Sequence, residues 1–430
     1  MKLGGRIAAA IEVLDQVEGR HRPVSEALKD WGIAHRFAGS GDRAVIGNIV
    51  YDALRWRASS AWVMGEETPR AVILAMLARR WALGPQGVAE ALAGDAHAPE
   101  GLTPAESERL ATTDLAAAPA HVRADVPEWV AARLERVFGE GWVGEGEALA
   151  RRPPLDMRAN RLRSTQAKVV SALSAFRAVA TPHSPDGIRI APTSGAERHP
   201  NVQVEPSFQK GWFEVQDEGS QIAALMVTAM PGEQILDLCA GAGGKTLALA
   251  AMTGGKGRIL ATDNDRARLA PIFDRAKRAG AHNVEVRPAN SDLGNLAGKM
   301  DAVLIDAPCT GTGVWRRRPD SKWKLTERAL GNRLGEQAAL LASAVRYVKP
   351  GGRLVYATCS LLPEENEDQI AAFLGANADF HAIPPAEAIA RAGVGEGFAE
   401  AAAMVSNGIV LSPGRTGTDG FFVSVMERGQ

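Results

Sequence analysis

Cysteine is scarce in this sequence: three in 430 residues, at positions 239, 309 and 359. Their separations, 70 residues from 239 to 309 and 50 from 309 to 359, match no zinc-ligand pattern, and three thiols cannot form a disulfide framework. Structural metal and crosslinks are therefore set aside, and the expected metal content is none. Long apolar runs are also missing, none approaching the roughly 18 residues of a membrane span, so no membrane partner is expected. The first helix-like stretch meets Glu12 and Asp15 before an apolar core can form. That makes a poor secretion signal and leaves the cytoplasm as the expected compartment. Nor is there an excess of one charge: 49 basic against 50 acidic side chains give a net charge of -1. Nucleic-acid binding would have to come from local clusters rather than a global field. What remains is a globular composition, 46% hydrophobic and 23% charged. At roughly 100 to 200 residues per domain, its length suggests two to four domains.

Residues 1–140 read as all-α. Val45, Ile46, Ile49, Val50, Ala53 and Leu54 recur at helical spacing and make one apolar face. Further helices are expected at 6–17, 68–82 and 127–138, and Thr103-Pro104-Ala105-Glu106 has the form of a capping box with proline in the first turn. The rhythm breaks at Arg151-Arg152-Pro153-Pro154. Residues 141–215 read as a small α/β connecting module, with a strand at 155–162, a helix at 165–177 and turn-rich sequence to about 211. From 216 to 430 the texture is βαβ, with strands expected at 234–239, 258–263, 284–290, 301–307 and 353–359 and closing strands at 409–411 and 421–426. This is an α/β Rossmann-like domain with a mainly parallel sheet, in which ligands bind at the carboxyl ends of the strands.

The first of those strands runs into Cys239-Ala240-Gly241-Ala242-Gly243-Gly244-Lys245-Thr246. A Walker A loop would require glycine at 239, and the dinucleotide fingerprint started at Gly241 would require glycine at 246; neither is present. What survives is a glycine turn that lets backbone approach a ligand, plus Asp263, an acid 22 positions after Gly241 and placed to grip a ribose diol. With both phosphate-specific patterns absent, S-adenosylmethionine is the adenosine-bearing cofactor that fits best.

Two more strand ends carry thiols, Asp306-Ala307-Pro308-Cys309 and Thr358-Cys359-Ser360. Adjacent strands would bring both to one rim. A pair of thiols beside a cofactor loop suits methylation of a pyrimidine at carbon 5, which is too weakly nucleophilic to attack a sulfonium methyl directly. A thiolate added to carbon 6 activates carbon 5, and a second group must then assist proton removal and release. Asp306 is placed to bind substrate or assist proton transfer. Cys239 reads as a packing residue. The residues themselves leave open which thiol attacks, because in DNA cytosine enzymes the nucleophile occupies the proline-cysteine turn, here Cys309. An amino-group methyltransferase would instead carry an Asn/Asp-Pro-Pro-aromatic turn after the fourth strand, which this sequence lacks. A non-catalytic RNA-binding factor would not need both thiols and the glycine loop intact.

The strings DLCAGAGGKT, DAPCTGTGVWRRRPD, YATCSLLPEENE and GTDGFF, in that order and spacing, resemble the Nop/Sun family of RNA cytosine-5 methyltransferases. So do Arg158-Ala159-Asn160-Arg161-Leu162 and Val215-Gln216-Asp217-Glu218-Gly219-Ser220-Gln221. The resemblance implies Cys359 as covalent nucleophile, Cys309 as the residue assisting release, cofactor contacts from 239–245, Asp263, Asn290 and Asp306, and Lys245 within the site. Two departures stand out. The family loop usually reads alanine-proline where this chain has Gly241-Ala242, and aspartate is usual where Asn290 stands. Residues 41–55 are similar to the NusB-type RNA-binding domain, a fusion that suggests the Sun/RsmB branch acting on small-subunit ribosomal RNA. The expected partner is then RNA, and the expected state a monomer.

Local charge agrees with such a partner. Residues 151–177 hold seven basic side chains and one acidic, and residues 316–328 hold six and two. Arg151, Arg152, Arg158, Asn160, Arg161, Arg163, Arg316, Arg317 and Arg318 are the candidate RNA contacts. Trp315 and Trp323 are candidates for stacking on bases.

Overall fold

A computed structural model describes all residues except 20–21, 94 and 289–290. Two compact units account for the chain, and they are not successive lengths of it. One comprises Met1–Pro153 with Pro192–His199 and Trp315–Leu325; the other comprises Pro154–Ala191, Pro200–Val314 and Thr326–Gln430. No helix among the described residues is long and apolar enough to cross a membrane.

The first unit is built from helices. The apolar face read at 45–54 lies on the helix Ser40–Arg55, and its six apolar residues are all buried in one core with Ile7, Val13 and Leu14 of the helix Leu3–Gly19. The helix Pro69–Arg79 is buried from Ala71 to Ala78, as expected of a segment apolar all round. It starts where Thr68 accepts the Ala71 N–H and Pro69 fills the first turn. The box at Thr103 is formed in both directions, at 2.7 Å and 3.1 Å. The segment Trp315–Leu325 belongs to this unit. Trp315 is fully buried, and Trp323 packs on the core and donates its ring N–H to the Leu54 carbonyl at 2.7 Å. Trp315 is therefore structural, which corrects the expectation that it stacks on a base; Trp323 is half-buried. Between them, Lys322 donates to the Arg55 carbonyl at 2.9 Å, and burial pulls its ammonium down to about 8.

The second unit holds two sheets. The smaller contains β1 (Leu155–Ala159), β2 (Val179–Ala180), β3 (Gly187–Ile190) and β4 (Phe213–Val215), in the order β2-β3-β1-β4 with every pairing antiparallel. The helix Gln166–Ala172 covers it through Val169. Strands β2 to β4 were unread in the sequence because each spans only two to four residues.

The larger sheet contains β5 (Gln234–Asp237), β6 (Arg258–Ala261), β7 (Val284–Val286), β8 (Met300–Asp306), β9 (Val348–Thr358), β10 (Phe380–Ala382), β11 (Ala403–Val405), β12 (Gly408–Leu411) and β13 (Phe421–Arg428). Its order is β11-β12-β13-β9-β8-β5-β6-β7, with β10 on β13. The run from β9 to β7 is parallel, as expected, and the strands from β10 to β13 add an antiparallel flank. Because β5 lies between β6 and β8, the order reverses there. That switch point is where a doubly wound sheet opens a crevice at its carboxyl edge.

Candidate active site

At the switch point, β5 ends in Asp237 and the chain turns through Leu238–Gly243 into the helix Gly244–Met252. Gly241 and Gly243 both have positive φ, +50° and +83°. A Cβ at 243 would lie 2.4 Å from Ile272 Cγ1, so only glycine fits there. Ala240 packs against the small cluster of Ala261, Leu269 and Ile272, and the Ala242 carbonyl accepts from Arg275 at 2.7 Å. Gly244 opens the helix. Asp263 is buried and held across the turn: its Oδ2 accepts the Gly241 N–H at 2.9 Å and its Oδ1 the Asp265 N–H at 2.8 Å. Cys239 is buried and burial pushes its thiol up, so it packs as a neutral side chain. Asn290 lies outside the described residues.

One member of this site went unremarked in the sequence. Asp237 is fully buried; Thr246 donates to its Oδ2 at 2.7 Å, while Oδ1 has no hydrogen-bond partner among the described residues. Burial pushes this carboxyl up to about 7. Its signal was the acid that opens the string DLCAGAGGKT. Beside it, Lys245 pairs with Asp306 at 2.8 Å and its ammonium sits 5.1 Å from the centre of the Phe421 ring.

The register of β8 on β9, with Asp306 opposite Ala357, puts the loops that follow the two strands side by side. The sulfurs of Cys309 and Cys359 lie 3.4 Å apart, and both side chains are half-buried. The hydrogen bond to Cys359, burial and the Glu365 carboxylate hold the Cys309 thiol well above the ordinary thiol range. Around the sulfurs runs a fully buried polar scaffold that sequence reading did not single out. Asn366 donates to the Ser360 carbonyl at 3.0 Å and accepts from Thr358 at 2.6 Å. Thr312 accepts the Leu361 N–H at 2.7 Å, and the Gly313 N–H donates to the Cys359 carbonyl at 2.9 Å. Gly313 also crosses Gly420 so closely that a Cβ would meet the Gly420 carbonyl oxygen at 2.1 Å. The terminal GTDGFF thus reaches the cysteine rim through its second glycine.

The candidate RNA contacts divide. Arg158 is buried on β1, donates to Gln216 at 2.7 Å, and is pulled down to about 10 by burial. Asn160 is buried and donates to the carbonyls of Gly211 and Ala279 at 2.9 Å and 2.8 Å. Arg152 is bound to both Asp52 oxygens and to the Thr193 and Gly195 carbonyls. Arg316 is buried as well. Arg158, Asn160 and Arg316 are buried, which corrects the expectation for them; Arg152 is half-buried, with its guanidinium engaged by Asp52 and two carbonyls. Arg151, Arg161, Arg163 and Arg318 are exposed and Arg317 is half-buried; Arg151 pairs with Glu147 at 3.4 Å and Arg161 with Asp186 at 2.7 Å.

Comparison with known proteins adds to this geometry. Residues 224–427 match the family described as 16S rRNA methyltransferase RsmB/F, and residues 126–194 match the ferredoxin-like domain of RsmF/B-like methyltransferases. The chain is 38% identical over 253 residues to ribosomal RNA small subunit methyltransferase B of Enterobacter sp. (strain 638), covering 58% of this chain and 57% of that one. It thus spans less than two thirds of the length of such curated relatives. Among solved structures, that of PH0851 is similar with a TM-score of 0.71 at 24% identity, covering 99% of each chain. A methyltransferase homolog protein from Pyrococcus horikoshii is similar with a TM-score of 0.58 at 28% identity, covering 72% of this chain and 97% of that one.

Proposed function

Since residues 224–427 match the family described as 16S rRNA methyltransferase RsmB/F, we propose that the chain transfers a methyl group from S-adenosylmethionine to carbon 5 of a cytosine in small-subunit ribosomal RNA. The observation that carries this reading is the pair of sulfurs 3.4 Å apart at the rim that also holds the glycine turn and the Lys245–Asp306 pair. The helical unit is read as a NusB-like RNA-binding domain over 1–140, joined through the module 141–215 to the methyltransferase domain 216–430.

The residues present fit an adenosine-bearing group. Among the described residues, only Arg268 Nη2 and Asp263 Oδ2 come within 4 Å of where a Gly241 Cβ would stand, which leaves this backbone open to a ligand. Asp263 is fixed by two backbone N–H groups, and each carboxylate oxygen keeps a further lone pair for a ribose hydroxyl. Residues 239–245, Asp263, Asn290 and Asp306 would hold the cofactor, which when bound supplies an electrophilic methyl.

The chain's own residues then divide the work. Cys309, whose thiol is held well above the ordinary thiol range, stands 3.4 Å from the Cys359 sulfur. The Cys359 thiolate forms a bond to carbon 6 of the base, and the displaced electron pair makes carbon 5 nucleophilic. Once that sulfur is committed to carbon, the interaction that most opposes ionisation of Cys309 is gone. Cys309 can lose its proton to solvent and accept the proton from methylated carbon 5. The electron pair of that C–H bond reforms the ring double bond as the C6–S bond breaks, returning Cys359 as thiolate. Lys245 neutralises Asp306 beside the reacting base. Incubation with methyl-labelled cofactor and small-subunit ribosomal RNA, followed by bisulfite sequencing, should reveal one protected cytosine. Label recovered on an adenine, a guanine or a ribose would contradict the reading.

A further inference from the structure

Glu365 lies six residues beyond Cys359 in a single 3-10 turn, Pro363–Glu365, and is fully buried. Its carboxylate reaches back to the other cysteine loop. Oε1 accepts the Thr310 N–H at 2.8 Å, and Oε2 accepts the Thr310 hydroxyl at 2.5 Å. Gln337, also buried, donates to Oε1 at 3.0 Å and to the Pro308 carbonyl at 2.9 Å, so residues on both sides of Cys309 are tied to one carboxylate. The Glu365 carbonyl accepts from Tyr356 at 2.8 Å, which fixes the turn to β9.

A buried carboxylate is costly unless its lone pairs are filled, and two of the bonds to this one, beside that from Gln337, come from the loop that carries the second thiol. Hydrogen bonds donated to a charged acceptor such as this one are stronger than those to a neutral one. From this juxtaposition we propose that Glu365 is a positioning residue for the release half of the cycle. By binding Thr310 it holds the Cys309 loop against the Cys359 loop and sets the sulfur-to-sulfur approach. The proposal rests on the reading that Cys359 attacks carbon 6 and Cys309 serves release. Addition needs only Cys359 and a bound base, whereas release needs Cys309 in register. Loosening the Thr310 clamp should therefore slow the second step and spare the first.

The test uses the full-length chain, cytosine RNA and S-adenosylmethionine in single turnover, with adduct formation and adduct release followed separately on denaturing gels. In Glu365→Gln the amide oxygen can keep the Thr310 N–H and Gln337 bonds, but its NH2 replaces the charged acceptor that faces the Thr310 hydroxyl. Formation should stay within about threefold of the unmodified chain, while release falls by tenfold or more and the adduct accumulates. Thr310→Val, which removes only the hydroxyl partner, should show the same split more weakly. The double variant should be no slower than Glu365→Gln alone, because both changes break one clamp. A merely structural role would lower both steps together, and that outcome, or full additivity, overturns the proposal. If Glu365→Gln does not fold, the Thr310→Val split decides alone. Unchanged release in these variants, with normal adduct in the unmodified chain, sinks the positioning role only. No adduct in the unmodified chain sinks it together with the reading beneath it.

Discussion

The cysteine rim and strand β1 both gather chemically demanding side chains, and the fold treats them in opposite ways. At the rim the polar scaffold is buried, through Glu365, Gln337, Thr312, Ser360 and Asn366, and the two sulfurs it supports stay half-exposed. On β1 the cation itself is buried: Arg158 lies under the surface with Gln216 as partner and the Glu214 and Asp186 carboxylates nearby. The difference teaches a rule about commitment. A polar group held by internal partners beneath the surface serves the fold, and one that keeps a reactive atom at the surface is free for chemistry.

Substitutions on the two sides should separate cleanly. The largest effect belongs to Cys359→Ala, which should lower methyl transfer roughly 10³-fold or more, as for loss of a covalent nucleophile, with little change in the urea midpoint. Next, Arg158→Ala should cost about 3 kcal/mol of stability, as for breaking one side of a buried charge arrangement. Urea denaturation checks it; weaker RNA binding at unchanged stability would break the comparison. Asp263→Ala should weaken cofactor binding by at least ~1 kcal/mol, the value of a charge-assisted hydrogen bond, read by titration calorimetry. The smallest effect is expected on the exposed face. Arg161→Ala and Arg163→Ala should each change stability by less than about 0.5 kcal/mol. Each should also reduce the slope of log affinity for RNA against log salt by about 1. A salt-insensitive complex would remove these arginines from the interface.

How much of this was readable in advance depended on how far apart the partners lie in sequence. The strands β5, β6, β8 and β9 were visible as β-branched runs. The two thiols were visible as strand-end residues because their placement follows from neighbouring strands alone. The glycine turn and Asp263 were legible for the same reason: the Gly241 N–H meets the acid ending the next strand. Arg158 was misread because the residues that bury it, Glu214 and Gln216, arrive some 60 positions later through β4. Local charge counts cannot see such a return of the chain. Trp315 was misread likewise, since the segment that follows the Cys309 loop folds with the amino-terminal helices. Glu365 and Asn366 were quoted within a motif, but their use became apparent only when the loop after β9 met the loop after β8.

The two sulfurs act in a fixed order, and one gel tests that order. Cys359→Ala and Cys309→Ala are each incubated with labelled cytosine RNA and S-adenosylmethionine and resolved under denaturing conditions. Forming the adduct needs a thiolate and a bound base, while leaving it needs a further proton transfer at carbon 5. Cys359→Ala should show no shifted band, and Cys309→Ala should accumulate methylated RNA fixed to protein. A trapped band with Cys359→Ala and none with Cys309→Ala would make Cys309 the nucleophile and contradict the assignment.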